Sequence, residues 1–405
     1  MRLRIGRGRV KMIVAGIGIF IVAAFIALLL ISGIGASPKY LEPWQPEYAQ
    51  QADDPRISLV ARGLLAASGH NMQPWKVRLD PADSNVLDLY ADSTRLTPEV
   101  DPLSRQMMVT QGTFLEYVRI AGQQEGYDVE IRLFPEGEYD ERHLTASMEK
   151  KPVARITLTQ AEPRTEPLYP FLYSPDTNRG AYEPGKLSSE AKATLEGIGD
   201  GYGVQVTVYQ DEDNVQKLGE YAIRAAKIEA SVRRVMKETE LIFRANEREK
   251  NEYRYGFSVE GQGTQGLMRH LMQGMVTLFP SLNVGQAAAD TFVKSTQTSV
   301  DHTSVYAMIV ASENTRSAQV LSGMAYSRLI LEAHRLGLAV QPLSQALEEY
   351  PEMKAKYDGI HRDYAPGGGS IQMLVRVGRP TREAPLSMRR DVMNEYPYTA
   401  PNARI

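Results

Sequence analysis

Residues 12–31 run through Met, Ile, Val, Ala, Gly, Phe and Leu without one polar side chain. Coiled as a helix rising about 1.5 Å per residue, such a run is about 30 Å long, the thickness of a bilayer's hydrocarbon core. It predicts one membrane-spanning anchor. Arg2, Arg4, Arg7, Arg9 and Lys11 flank its start and the first acidic residue is Glu42. Positive charge favours the cytoplasmic side, so the chain from about residue 37 is expected outside the membrane, in an extracytoplasmic body. The run exceeds the roughly 7–15 apolar residues of a secretory signal. Gly35-Ala36-Ser37 nevertheless offers a small-residue cleavage site, so retention and removal of the segment both stay open. A twin-arginine signal is missing, because Gly8 separates Arg7 from Arg9.

Composition narrows the rest. In 405 residues, 46 Lys and Arg stand against 49 Asp and Glu, and removing the five N-terminal cations leaves 41 against 49. A body of that sign argues against nucleic acid as partner. Cysteine is absent, which excludes disulfides, thiolate metal sites and cysteine nucleophiles. A hydrophobic content of 43% supports two modest domains or one large one with a buried core.

Element patterns divide the chain into a basic end and anchor (1–36), a proline-bearing linker (37–54) and a body from 55 onward. A first half, 55–162, reads as a helix at 56–67, strands at 76–79 and 86–90, a helix from the Asp101-Pro102 cap to 124, and strands at 129–134 and 153–159. The proline-rich stretch 163–175 opens a second half, 163–405, in which the pattern restarts. It reads as a helix at 188–198, a strand at 204–209, a long charged helix over 214–253, an irregular region with a short Met-rich helix over 256–280, a strand at 304–311, a helix at 317–336 and a strand at 371–377. Helices and strands without strict βαβ alternation indicate an α+β fold.

Most motifs have plain readings. Gly261-Gln262-Gly263-Thr264-Gln265-Gly266 matches a dinucleotide fingerprint in letters, but no apolar strand precedes it and no βαβ unit surrounds it, so it reads as a loop. Gly367-Gly368-Gly369-Ser370 lacks a following lysine and reads as the entry to a strand. His302 and His334 lack metal-ligand spacing. The unusual segment is Ser68-Gly69-His70-Asn71-Met72-Gln73-Pro74-Trp75. Such an amide-rich connection can present Asn71 and Gln73 to a flat heterocycle. It can equally be an ordinary capped turn whose Asn71 and Gln73 satisfy local backbone groups.

That segment resembles the signature of the nitroreductase-like flavoproteins, and the whole of 55–395 resembles their Acg-type branch, in which two halves are fused in one chain. Asp92-Ser93-Thr94-Arg95, Asp101-Pro102-Leu103-Ser104-Arg105, Thr177-Asn178-Arg179, the 328–345 stretch and Arg389-Arg390 follow in the same order. The resemblance implies a nitroreductase-like fold of two pseudo-symmetric halves clasping one FMN. It implies hydride transfer through flavin N5 to an electron-poor small molecule, a nitroaromatic or quinone, with NAD(P)H as donor. It implies a pseudo-dimeric monomer. Among residues, it implies that Thr177 and Arg179 hold the phosphate, with Arg389 and Arg390 adding charge. Ser68, His70, Asn71, Gln73 and Pro74 would meet the ring, and Ser344 or Gln345 would stand beside N5. The chain departs from the family at Pro175, where an arginine is common. The stretch 244–280 resembles a covering lid, which opens an alternative: an FMN store or sensor with little turnover.

Overall fold

The structure, a computed structural model, describes residues 7–395; Arg2 and Arg4 of the basic end and residues 396–405 of the second half lie outside the described residues. The apolar run is helical from Arg7 to Ser32. Among the described residues one helix is long and apolar enough to cross a membrane, Lys11–Ser32, with mean hydropathy 3.0. Its side chains are exposed until the last turns, where Ser32 is buried.

The stretch 37–54 is not a free tether. A 3-10 turn, Lys39–Trp44, and a short helix, Pro46–Ala49, bury Tyr40, Trp44 and Tyr48 against the body. Trp44 Nε1 donates to the Ser387 carbonyl at 2.7 Å, and the Tyr48 hydroxyl donates to Asp391 at 2.6 Å. Prolines keep this segment out of a long helix, but its aromatic rings lose too much by staying in water.

Four strands, β1 (Trp75–Leu79), β2 (Val86–Ala91), β3 (Tyr127–Leu133) and β4 (Ala154–Gln160), form an antiparallel sheet in the order β1-β2-β4-β3. Further along come β5 (Val204–Tyr209), the two-residue parallel pair β6 (Phe243–Arg244) and β7 (Phe257–Ser258), then β8 (Tyr306–Ala311), β9 (Ala339–Pro342) and β10 (Ser370–Gly378). The second large sheet is antiparallel in the order β5-β8-β10-β9. The fold is a mixture of helix and antiparallel sheet, as the patterns require.

Two twenty-residue helices, Arg105–Gln124 and Arg316–Arg335, join these sheets. Each carries a glycine seven places after its first arginine. A Cβ on Gly112 would overlap the Val320 carbonyl, and one on Gly323 would overlap the Val109 carbonyl. The backbones therefore touch where the helices cross, and only glycine permits it. Around the crossing, Phe114, Leu115 and Ile156 share one buried cluster with Val320, Leu329 and Val375. Both sheets thus turn apolar residues into one shared core, while Tyr306 and Met308 of β8 and Ile371 and Leu374 of β10 pack in a second cluster with Leu218 and Ala222.

Local differences from the sequence reading have local causes. The helix expected from the Asp101-Pro102 cap begins at Arg105, because Ser104 turns to φ 54°; Asp101 still caps it, accepting from the amides of Gln106 (3.1 Å) and Met107 (2.9 Å). The long helix over 214–253 is three pieces, Glu212–Ser231, Arg233–Leu241 and Glu247–Tyr253, since Val232 is extended and Asn246 caps a fresh start. A helix at Gly285–Asp301, rich in Ser, Thr and Val, gives little propensity signal and is stabilised by packing on Glu212–Ser231.

Candidate functional site

The first half reaches its sharpest turn at 68–73, where three non-glycine residues take left-handed conformations: His70 (φ 53°), Asn71 (φ 52°) and Gln73 (φ 50°). Each costs about 1–2 kcal/mol relative to ordinary backbone, so the surroundings must hold them there. The hold is visible. Ser68 Oγ accepts from the Gln73 amide (3.1 Å), and Gly69 donates to Thr110 Oγ1 (3.2 Å). Asn71 Nδ2 donates to the carbonyls of Gly256 and Met388, both at 3.2 Å, while its Oδ1 accepts from Arg389 (3.0 Å).

Beside this turn lies a cavity of about 380 Å³, within the range of small-molecule and cofactor pockets. It gathers residues from four distant stretches. Ser68, His70 and Asn71 form one wall, Thr177 and Arg179 a second, Ser344 and Gln345 a third, and the C-terminal arm at 382–388 a fourth. Phe243, Phe257, Ser258 and the Gly261-Gln262-Gly263 loop cover it, so this loop, though no dinucleotide turn, is part of the wall. A larger recess of about 510 Å³, lined by Arg244, Asn246 and Glu249 on the outer face of the helix Glu247–Tyr253, is polar and open, and receives none of the expected residues.

Four of the expected residues stand outside the cavity lining. Gln73 is fully buried; its Nε2 donates to the Arg254 carbonyl (2.8 Å) and its Oε1 accepts from the Arg390 amide (2.9 Å). Pro74 presents its carbonyl to Gln111 Nε2 (2.9 Å) and the Asp92 amide (2.9 Å). Arg389, fully buried, donates to the Leu65 carbonyl (2.8 Å), pairs with Asp176 (3.1 Å) and stacks its guanidinium 4.5 Å over the Trp44 ring. Arg390 donates to the carbonyls of Gln73 and Trp75, both at 2.8 Å. The two arginines latch the C-terminal arm onto the turn at 68–75 and its neighbours: carbonyls hold Arg390, carbonyls with Asn71, Ser387 and Asp176 hold the Arg389 Nη groups, and Arg389 Nε is buried without a partner among the described residues. Asn71 and Gln73 do bond backbone carbonyls, but chiefly those of Arg254, Gly256 and Met388, distant in sequence, rather than those of a local capped turn.

Arg382 is the cation that sequence reading missed. It is exposed, lines the cavity, and places Nε where a Cβ on Gly180 would stand 3.1 Å away, next to Arg179. Arg179 is likewise exposed and donates through Nη1 to the Gly261 carbonyl (3.1 Å). Two guanidiniums at one end of a cavity suit a phosphate or carboxylate. At the other walls, Gln345 Oε1 is buried without a hydrogen-bond partner among the described residues, whereas the Ser344 hydroxyl is engaged with the Leu374 carbonyl (2.9 Å). Glu229 and Glu348 also line the cavity, and each has one buried carboxylate oxygen without a partner among the described residues. Burial raises both above the ordinary carboxylate range, and the Glu229 charge raises Glu348 further. Their polar letters gave no signal, since burial is a tertiary property.

The His70 imidazole meets the Phe257 ring edge to face, with centroids 5.3 Å apart. Burial, then the nearby Arg179 charge, lowers its pKa from 6.5 to about 4. Part of the ring surface still faces the cavity, but the surrounding protein desolvates it. His70 is therefore neutral in the fold and protonates in the unfolded chain below pH 6.5, so its contribution is complete above that pH and is lost as pH falls toward 4. Urea midpoints should decline over this window by the equivalent of up to about 3 kcal/mol. His70→Asn, which tolerates φ > 0, should flatten that part of the decline; an unchanged pH slope would refute the assignment.

No protein-family model matches this chain, and no curated protein matches it. Among solved structures it is similar to the FMN-dependent nitroreductase NfnB from Mycobacterium smegmatis, in complex with NADPH, at 16% identity and a TM-score of 0.33. The similarity covers 55% of this chain and 92% of that one. A likeness this distant assigns neither residue nor ligand, and the chemistry of the cavity carries the case.

Proposed function

We propose that the chain is a membrane-anchored, FMN-dependent oxidoreductase of nitroreductase type, its two fused, pseudo-symmetric halves clasping one flavin. The observation that carries this reading is the convergence of Ser68, His70 and Asn71, Thr177 and Arg179, and Ser344 and Gln345 on one cavity, from stretches far apart in sequence. When bound, FMN supplies the hydride chemistry, taking reducing equivalents from NAD(P)H and passing them to a nitroaromatic or quinone. The chain's own residues bind, orient and exclude water. Arg179 and Arg382 hold the phosphate, with the Thr177 hydroxyl beside them, and Arg382 supplies the second cation that Pro175 does not. The orphaned Gln345 Oε1 accepts a ring N–H. Glu229 and Glu348, kept protonated by burial, hold protons within reach of the cavity.

A second reading, an FMN store or sensor, is favoured by one feature. The cover is pinned: buried Lys250 pairs with Glu247 at 2.7 Å and with Glu260, and Tyr40 donates to Glu247 at 2.8 Å. Rapid mixing of the purified yellow chain with NADPH separates the two. Bleaching within seconds supports the oxidoreductase, and colour stable for minutes supports storage. A colourless chain that takes up no added FMN overturns both.

A further inference from the structure

The segment 266–284 has its polarity reversed. In the helix Gly266–Leu278 the buried side chains are polar His270 and Gln273 with a single apolar one, Val276. His270 Nδ1 stands 3.1 Å from the Ser32 hydroxyl, Gln273 donates to Glu247 at 2.9 Å, and Asn246 donates to the Thr277 hydroxyl at 3.3 Å. The outward ones, with those of the turn that follows, are Leu267, Met268, Met272, Leu278, Phe279 and Leu282, between 42% and 57% exposed. No carboxylate occurs between Glu260 and Asp290, and Arg269 is the one Lys or Arg in that interval. A helix facing water is built the other way round.

Its position says what the apolar face meets. A Cβ on Gly274 would overlap the Leu28 carbonyl, so this helix touches the backbone of the anchor helix, while His270 meets Ser32. Four residues forward on one helix match four backward on the other, which makes the pair antiparallel. Continued at about 1.5 Å per residue, that register puts Leu278 level with Ala24, about 12 Å along the anchor from Ser32. Leu278 and the adjoining Phe279 therefore lie beside the apolar run, at a depth suited to the headgroup–acyl boundary, and Leu282 follows in the turn Pro280–Asn283.

We propose that 266–284 is a second membrane-seated element, lying in the leaflet from which the anchor emerges, with the lipid acyl region as the occupant of its apolar face. The inference rests on the reading of Lys11–Ser32 as a membrane span. Because Gln265 and Asn283, at the two ends of the segment, line the cavity, it also sets one cavity wall against the bilayer.

The absence of cysteine allows a direct test on the full chain. Met272→Cys, Phe279→Cys and Leu282→Cys, each carrying a fluorophore, are placed in phosphatidylcholine vesicles containing nitroxide-labelled acyl chains. Phe20→Cys serves as the anchor reference and Asp128→Cys as the water-side reference. Labels at 279 and 282 should be quenched by lipid at least threefold more strongly than the label at 128, and should resist aqueous iodide. Quenching at 20 with none at 279 and 282 would overturn the proposal while leaving the anchor intact. Shielding of 279 and 282 from lipid and iodide alike would assign the face to a second copy and overturn it. No quenching at 20 would remove the anchor reading and this inference with it.

Discussion

Replacing Arg179 and Arg382 together by alanine is expected to yield a colourless protein that binds added FMN about 10²–10⁴-fold more weakly, since each charge-assisted hydrogen bond contributes roughly 1.5–3 kcal/mol. Both side chains are exposed to the cavity and adjacent through Gly180, so both can turn a guanidinium fork to one dianion. Lysine at either position should give an intermediate loss, because a point charge remains but the fork does not. Flavin absorbance after gel filtration, followed by titration with FMN, reads the effect. A double variant that keeps wild-type colour and stoichiometry would remove the phosphate assignment. Arg389→Ala should behave differently. It leaves both cavity cations in place and strands Asp176 and the Leu65 carbonyl, so its effect should fall on thermal stability more than on FMN affinity at low temperature.

The second large effect is expected at the helix crossing. Gly112→Ala drives a methyl group into the Val320 carbonyl, and no rotamer relieves it, because both partners are backbone. The helices Arg105–Gln124 and Arg316–Arg335 must separate, opening the core that both sheets share, at a cost of about 3 kcal/mol or more. The melting temperature should drop by about 3–4 °C or more. Gly323→Ala should match it, since its Cβ would meet the Val109 carbonyl. Gly197→Ala is the control: its φ is −66° and nothing lies within 4 Å of the added methyl, so it should be neutral or slightly stabilising. Equal behaviour of Gly112→Ala and Gly197→Ala would refute the tight crossing.

Much of this architecture is written locally. The strand at 204–209 was legible from its alternation and that at 76–79 to within one residue, because a half-buried strand repeats its polarity every second residue; that at 371–377, legible to within one residue at each end, is buried throughout and shows instead as a short, largely apolar run. The helix Arg7–Ser32 was legible because twenty consecutive apolar residues carry no turn signal to interrupt it. The Ser68–Trp75 segment stood out by composition, and its three left-handed residues now give a physical reason for its dense polar support. The helix Gly285–Asp301 was not legible, since its Ser, Thr and Val content is that of a weak helix former.

The amino-acid order by itself determined the long apolar run and the α+β pattern, because these follow from periodicity and residue type within a few turns of chain, whereas the stretches at 177–179 and 344–345 stand out by resemblance alone. Only the tertiary structure decided which arginines face the cavity. Arg389 and Arg390 lie beside carbonyls more than 300 residues distant and are latched there, while Arg382, an ordinary cation in the sequence, is left exposed beside Arg179. A guanidinium is bound by whatever acceptors the fold brings within about 3 Å, and that encounter is set by long-range packing that no local pattern encodes.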